Sequence, residues 1–464
     1  MENKEQYKRM VKILSTSLIL LLQTAIFAVV WYICYANNEE ALIEPFWRRG
    51  NYVIIGLYAV MVFLFYKLYG GFKVGYLRHV EVLYSQIFST ICVNAVTYLQ
   101  LCLIGHWRFG LFATPILVMT VVDIVVAVLW GFFTQWAYLK IYPPREMVLI
   151  YGKYSPKYLI QKMASRKDKY TISETIHYSA GLDEIKAKIL KYRCVVMSDI
   201  PSEIRNQLLK FCFEKDIRCY TVPKITDIMI MSATDIHLFD TALLLFRNQG
   251  LTADQEAAKR IFDIVISVLA IIVTSPIMAL IALFIKLYDG GPVIFTQDRL
   301  TKNGKIFKVQ KFRSMRVEPV SAEYCLTRKD DDRVTPVGKV IRAIHFDELP
   351  QFFNILKGDM SFVGPRPECP KIAEEYSQII PEFNYRLKVK AGLTGFAQVY
   401  GKYNTTPYDK LKMDLSYIEN YSFLLDLKLI LLTLKILFQK SNTEGIESWQ
   451  TSAAIEEDLE KISK

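Results

Sequence analysis

Two carboxylates stand side by side in "HFDELPQFFNILKGDMSFVGPRP" (345–367): Asp347 and Glu348, with Gly-Pro-Arg-Pro close behind. Adjacent carboxylates repel, so the pair costs stability unless a cation, a proton or solvent relieves it. Taken alone it reads as an exposed acidic helix start, with Pro350 in the first turn. Three basic clusters change that balance. "QDRLTKNGKIFKVQKFRSM" supplies Arg299, Lys311 and Arg313, "DDDRVTPVGKVIR" supplies Arg333 and Arg342, and "GPRPE" supplies Arg366 between two prolines that limit its backbone. Guanidinium groups chelate phosphate oxygens in a planar fork, so several arginines around one acidic pair suit a reaction on phosphate. Each cluster alone is more often a solvated face; their joint occurrence reverses the odds. Asp330-Asp331-Asp332 mimics the DxD motif of metal-dependent glycosyltransferases. Such a motif belongs after an alternating βα nucleotide-binding half, whereas a membrane stretch and a basic loop precede this one.

The elements that must position these residues begin in a membrane. Of 464 residues 52% are hydrophobic, above the usual soluble share. Four apolar segments (13–35, 52–69, 82–104 and 109–141) are each long enough for a spanning helix of about 20 residues. Lys8, Arg9 and Lys12 precede the first, Lys67, Lys73 and Arg78 follow the second, and Lys140 and Arg145 follow the fourth. That bias places both ends of a four-helix bundle in the cytoplasm. The net charge of +11 suits basic cytoplasmic flanks and an anionic substrate, and favours these over nucleic acid because no Lys/Arg run interleaved with aromatics occurs. Eight scattered cysteines without a CxxC pair, and five histidines without HExxH, point to reduced thiols and to neither a zinc site nor a histidine-based metal hydrolase. Asp123, alone in the fourth apolar segment, is a thin basis for a transport pathway.

From 146 to 247 strands alternate with helices: "MVLIYG", "CVVMS" and "IRCYTVP" read as strands, "SPKYLIQKMAS" and "PSEIRNQLLKFCFEK" as helices. The pattern predicts a small parallel α/β sheet, Rossmann-like. Its phosphate-binding turn is degenerate, since "KYSPKYL" after Gly152 offers no second or third glycine for a pyrophosphate. Residues 248–258 read as a linker. A fifth apolar stretch follows at 261–287, with Ser275-Pro276 in its middle and basic residues on both flanks (Lys259, Arg260; Lys286, Arg299, Lys302). Positive charge on both sides predicts a re-entrant helix broken at Ser275-Pro276, both ends cytoplasmic. "YSFLLDLKLILLTLKILF" is apolar but carries Asp426, Lys428 and Lys435, and reads as a buried or interfacial helix.

From about 259 to 433 the sequence resembles the bacterial sugar transferases, the polyprenyl-phosphate phosphoglycosyl transferases that begin exopolysaccharide and capsule assembly. "KRIFD", "GGPVIFTQDR", "KFRSM", "DDRVTPVGKVIR", "DELPQFFNILKGDMSFVGPRP" and "AGLTGFAQVYGK" carry the likeness in order and spacing. It departs from the family pattern at His345-Phe346 (usually Ser or Thr, then Leu), Ala391 (usually Pro), Tyr400 (Asn), Lys402 (Arg) and near Thr301 (a glycine). The resemblance implies a mixed membrane protein: a transmembrane domain (1–145), the α/β domain (146–247), an α+β catalytic domain (259–445) and a tail (446–464). It implies that Asp347 attacks the sugar-bearing phosphate of a UDP-sugar, UDP-glucose or UDP-galactose, to give a covalent phosphosugar intermediate. Undecaprenyl phosphate then captures the sugar phosphate, UMP having left. Glu348 would hold Mg2+, and Arg366 would clamp the phosphates with Lys311, Arg313, Arg333 and Arg342 around it. The location implied is the cytoplasmic face of the bacterial inner membrane, with a homodimer as a candidate assembly.

Overall fold

The computed structural model describes residues 7–38, 48–105, 107, 109–153, 155–246, 250–316, 333–401 and 405–437. The chain divides into two compact units between Thr221 and Val222.

The first unit opens with helices α1 (Lys8–Val30, continued by a π-helical turn Trp31–Tyr35), α2 (Arg48–Tyr69), α3 (His79–Ile104) and α4 (Phe109–Ile141). All four are long and apolar enough to cross a membrane. Leu21, Val53, Leu117 and Leu129 face outward. The interior packs apolar side chains such as Ile19, Phe27 and Leu101 around a set of polar bonds: Gln23 Nε2 donates to Tyr66 Oη at 2.7 Å, Tyr58 Oη to Asn94 Oδ1 at 3.0 Å, and Asn94 Nδ2 to Asp123 Oδ2 at 3.1 Å. Lipid tails are as apolar as leucine, so such bonds, rather than hydrophobic burial, tell helices which faces to join. Asp123 acts here as an acceptor between α3 and α4.

Strands β1 (Arg145–Tyr151), β2 (Tyr170–His177), β3 (Cys194–Ser198) and β4 (Arg218–Thr221) form a parallel sheet in the order β2-β1-β3-β4. Helices α5 (Lys157–Ala164), α6 (Leu182–Tyr192) and α7 (Ser202–Glu214) make the crossovers. β1 and β3 bury Val148, Ile150, Val195 and Met197 on one face and Met147, Leu149, Cys194 and Val196 on the other. Burial on both faces gives the continuous apolar runs legible in the sequence. β2 escaped that reading because, at the sheet edge, Thr171, Ser173, Glu174 and Thr175 break up its apolar residues. The expected α/β domain runs to 247, but the sheet closes at Thr221. α8 (Ile225–Ser232) instead buries Ile225 and Ile228 in the core of the second unit, where the hairpin β5 (Thr234–Leu238)–β6 (Thr241–Leu245) also belongs. A side chain at Gly152 would collide with the Asp199 backbone, so the turn after β1 is closed by the chain itself.

The second unit is organised by α9 (Ala253–Asp289), a fifth helix long and apolar enough to span. Its base is pinned by the residues of "KRIFD". Lys259 pairs with Asp426 and donates to Tyr417 Oη at 3.2 Å. Arg260 donates to the carbonyls of Ile355 and Leu356, both at 2.7 Å, and Asp263 Oδ1 accepts from Ser361 Oγ and Phe362 N, both at 3.0 Å. The expected break at Ser275-Pro276 is absent: the backbone stays helical through Pro276. Pro276 lacks the N–H that would bond Ile272 O, and Ser275 Oγ donates to that same carbonyl at 2.9 Å. The orphaned acceptor is thereby satisfied without unwinding.

After α9 come the antiparallel strands β7 (Ile294–Leu300) and β8 (Ile306–Phe312), then α10 (Pro336–Ala343), α11 (Gln351–Lys357) and β9 (Ser361–Val363). α12 (Pro370–Ile379) leads into a 3-10 segment (Pro381–Lys388), then β10 (Gly392–Thr394), α13 (Phe396–Tyr400), α14 (Pro407–Glu419) and α15 (Phe423–Leu437). One core gathers Phe307, Val309, Ile355, Met360, Val363, Phe383, Leu411 and Leu429. α15 buries Asp426, Leu429 and Leu432 and exposes Phe423 and Leu424, as an interfacial helix does.

Candidate active site

Asp347 and Glu348 sit on a single 3-10 turn, Phe346–Glu348, between α10 and α11. Local signals build that corner. Thr335 caps α10, its Oγ1 accepting from Gly338 N at 2.9 Å, and Pro336 occupies the first turn, where no N–H is needed. At the end of α10, His345 takes a left-handed conformation (φ 58°), which reverses the chain so that the next residues start a new turn. α11 then stops at Gly358 (φ 100°), beside which the Arg260 guanidinium packs. Below the turn, Phe346 and Leu349 rest on Met278, Ile281 and Ile285 of α9 together with Phe312 and Ile341.

Cations arrive from two directions. Asn354 on α11 fixes β8, accepting from Gln310 N at 2.9 Å and donating to Lys308 O at 2.8 Å. That register brings Lys311 Nζ to 2.6 Å from Glu348 Oε1. Arg366 reaches the same oxygen with Nη2 at 3.4 Å while about half of its side chain (53%) stays accessible. Asp347, one residue away, makes neither a hydrogen bond nor an ion pair with any described residue.

The pair is therefore electrically unequal. Burial opposes charge on Glu348, yet Lys311 and then Arg366 overcome it and hold the carboxyl at about 2. Burial pushes the Asp347 carboxyl up from its ordinary value; Lys311 draws it back, Glu348 raises it further, and Arg342 and His345 lower it. Two neighbouring carboxylates with separated environments are a recurring way to give one a binding role and the other a reactive one.

Of the arginines expected around the pair, Arg366 touches it and Arg342 acts on it through charge. Arg313 is buried with its guanidinium against Gly291, and Arg333 adjoins the isolated bridge between Met315 and Val334. Arg299 does not offer its charge outward: Nη1 donates to Pro367 O at 3.2 Å and Nη2 to Gln297 Oε1 at 2.6 Å. The triplet Asp330-Asp331-Asp332 lies outside the described residues. Sequence reading gave no role to His345 and Glu368, although both stand in the quoted stretches, and missed Arg386 and Asp414, which reach the supports of the site through space.

Glu348 is the candidate metal-holding group. Among the described residues no cluster of three or more His, Cys, Asp or Glu side chains forms a metal cage. Mg2+ needs none, because it binds one or two carboxylates and takes its remaining oxygens from water and substrate phosphates. Both cations meet Oε1 of Glu348, so an ionised Oε2 remains for such a ligand, and the residues fit.

A family model described as bacterial sugar transferase matches residues 254–440. A UDP-glucose:undecaprenyl-phosphate glucose-1-phosphate transferase of Klebsiella pneumoniae is 46% identical over 180 residues, covering 38% of this chain and 39% of that protein. A UDP-N-acetylgalactosamine-undecaprenyl-phosphate N-acetylgalactosaminephosphotransferase of Aeromonas hydrophila is 43% identical over 180 residues, 38% of this chain and 43% of its own length. The match thus spans well under half of each of these two relatives. A UDP-glucose:undecaprenyl-phosphate glucose-1-phosphate transferase of Caulobacter vibrioides is 39% identical over 189 residues, covering 40% of this chain and 71% of the relative. The matched segment contains the acidic turn, Lys311, Arg366 and the α9 residues that pin the core, and the chain belongs to the bacterial sugar transferase family.

Proposed function

We propose that this protein transfers a hexose-1-phosphate from a UDP-sugar to undecaprenyl phosphate and releases UMP, at the start of exopolysaccharide or capsule assembly. The observation that carries this reading is the division of the acidic pair: Glu348 is held ionised by Lys311 and Arg366, while Asp347 is left without a partner beside them. A nucleophilic carboxylate must be unencumbered and close to cations that take up phosphate charge. In the first step an Asp347 oxygen bonds to the phosphorus next to the sugar. The bond from that phosphorus to the bridging oxygen breaks, and its electron pair leaves on UMP. In the second step an oxygen of undecaprenyl phosphate attacks the same phosphorus, and Asp347 departs as a carboxylate. Splitting one displacement into two is the usual service of such a group. Arg366, half exposed, clamps donor phosphate oxygens, with Lys311 and Arg342 adding charge. Glu348 would hold Mg2+, which when bound would supply further charge neutralisation.

The sugar is set by the donor pocket, and the relatives' names include both glucose and N-acetylgalactosamine donors. UDP-glucose and UDP-galactose are the first donors to test. In this reading the acidic turn lies on the cytoplasmic side of the inner membrane, with cytoplasmic nucleotide sugars. Purified protein incubated with UDP-glucose, UDP-galactose or UDP-N-acetylgalactosamine and undecaprenyl phosphate is expected to yield UMP. Release of UDP alone would contradict the proposal, because a plain glycosyltransferase cleaves at the sugar carbon.

A further inference from the structure

Four consecutive carbonyls hold the turn that presents Arg366, and each has its own donor. Pro365 O accepts from Gly392 N at 2.9 Å, and Glu368 O from Leu300 N at 3.0 Å. Pro367 O accepts from Arg299 Nη1 at 3.2 Å, and Arg366 O from Arg386 Nη2 at 2.9 Å. Pro365 and Pro367 further restrict φ on either side. A half-exposed guanidinium is thus carried on a backbone fixed at every acceptor.

Arg386 stands out among the four donors. It is buried (4% exposed) on the 3-10 segment Pro381–Lys388. Besides the Arg366 carbonyl, its Nη1 meets Glu368 Oε1 at 3.3 Å, its Nη2 meets Asp414 Oδ2 of α14 at 2.9 Å, and its guanidinium carbon lies 5.0 Å from the centre of the Phe383 ring. A buried ion pair is a poor way to add stability, since apolar residues of like volume do as well or better. What it supplies is a fixed fork, and here one tine of the fork ends on the backbone of the phosphate clamp.

We infer that Arg386, oriented by Asp414, is a positioning residue that sets how Arg366 meets the donor diphosphate. This rests on the phosphoglycosyl transfer proposed above. Asp414 makes the arrangement sensitive to pH. Burial raises its carboxyl to about 6, against the pull of Arg386; Glu368 raises it and Lys410 lowers it, and among the described residues these three are the charged groups that face it. As pH falls through 6, Asp414 takes up a proton and Arg386 loses an anionic partner. The Arg366 backbone is then held less rigidly, and the donor is bound less well. The consequence falls on donor binding rather than on the chemical step, because neither Arg386 nor Asp414 touches Asp347.

The test measures donor KM and kcat, with the Kd for UDP, in wild-type protein between pH 5.5 and 8, and in Arg386→Lys and Asp414→Asn. In the wild type, donor KM and UDP Kd should rise by about fivefold as pH falls across this range, the size of one ordinary hydrogen bond. Asp414→Asn should show the raised values at pH 8 and little further change on acidification. Arg386→Lys, keeping the charge without the fork, should raise both by about fivefold to tenfold with kcat within about twofold. A wild-type KM and Kd that stay flat with pH would overturn the inference even if both variants misfold. A fall in kcat with unchanged KM and Kd in Arg386→Lys would also overturn it. Absence of UMP from every donor would instead refute the proposed reaction, and the UDP Kd would still decide the role of Arg386.

Discussion

Thr301 Oγ1 accepts the backbone N–H of Ala391 at 3.2 Å while donating to Asp359 O at 2.8 Å. Both residues depart from what the resemblance implies, a glycine near the first position and a proline at the second. A glycine has no hydroxyl to accept and a proline has no N–H to offer, so the two departures answer one another. Thr301→Gly should cost about 1–3 kcal/mol by orphaning a buried N–H. Ala391→Pro in that background removes the orphan, so the double variant should recover about 1 kcal/mol relative to additivity. Thermal unfolding of the four proteins in one detergent measures the coupling; strictly additive shifts would refute it.

Asp347→Asn should abolish turnover and also remove the covalent label. With UDP-hexose labelled at the sugar-bearing phosphate and no lipid acceptor, the wild type should retain label on protein after denaturation. Glu348→Gln should lower the rate strongly and weaken the dependence on Mg2+. Near-normal rates in Asp347→Asn would end the two-step mechanism.

The same pair has opposite effects on stability. Glu348 has a folded value of about 2, below its ordinary 4.5, so its ion pairs stabilise the fold above about pH 4.5 and that contribution is lost as pH falls toward 2. Asp347 is shifted the other way, so its ionisation costs stability above its folded value. Asp347→Asn should therefore unfold at a higher temperature than wild type at pH 7.5, with the gain vanishing near pH 4. Lys311→Met should lower the melting temperature at pH 7.5 and shift the acid limb of kcat upward, because Lys311 holds both carboxyls down. A limb that stays in place in Lys311→Met would show that Asp347 is not the titrating group.

The side of the membrane on which the acidic turn lies is testable by labelling. Single cysteines at Asp254, in the first turn of α9, and at Asn303, in the turn between β7 and β8, are both expected to stay protected from an impermeant maleimide in intact cells. Labelling at Asn303 with Asp254 protected would establish a true span and move the acidic turn outside. Ser275→Ala should destabilise the helix by about 1 kcal/mol, since Ile272 O then lacks its donor.

Much of the scaffold was legible because it depends on neighbours in the chain. The apolar lengths of α1 to α4 and α9 and the doubly buried β1 and β3 are local features that lipid and sheet each impose on the sequence. The acidic pair and the proline-flanked Arg366 were likewise visible as residue types suited to phosphate. What only the tertiary structure decided is how those charges are spent. Arg299 looked like a phosphate ligand and is a brace for Pro367; Pro276 looked like a break and is bridged by its neighbour's hydroxyl. Which of two adjacent carboxylates is paired depends on Lys311, 37 positions from Glu348, and on a turn held by Arg386, in no motif of its own. Coulomb energy and desolvation act through space, so adjacency in sequence made Asp347 and Glu348 look alike, and the fold made them different.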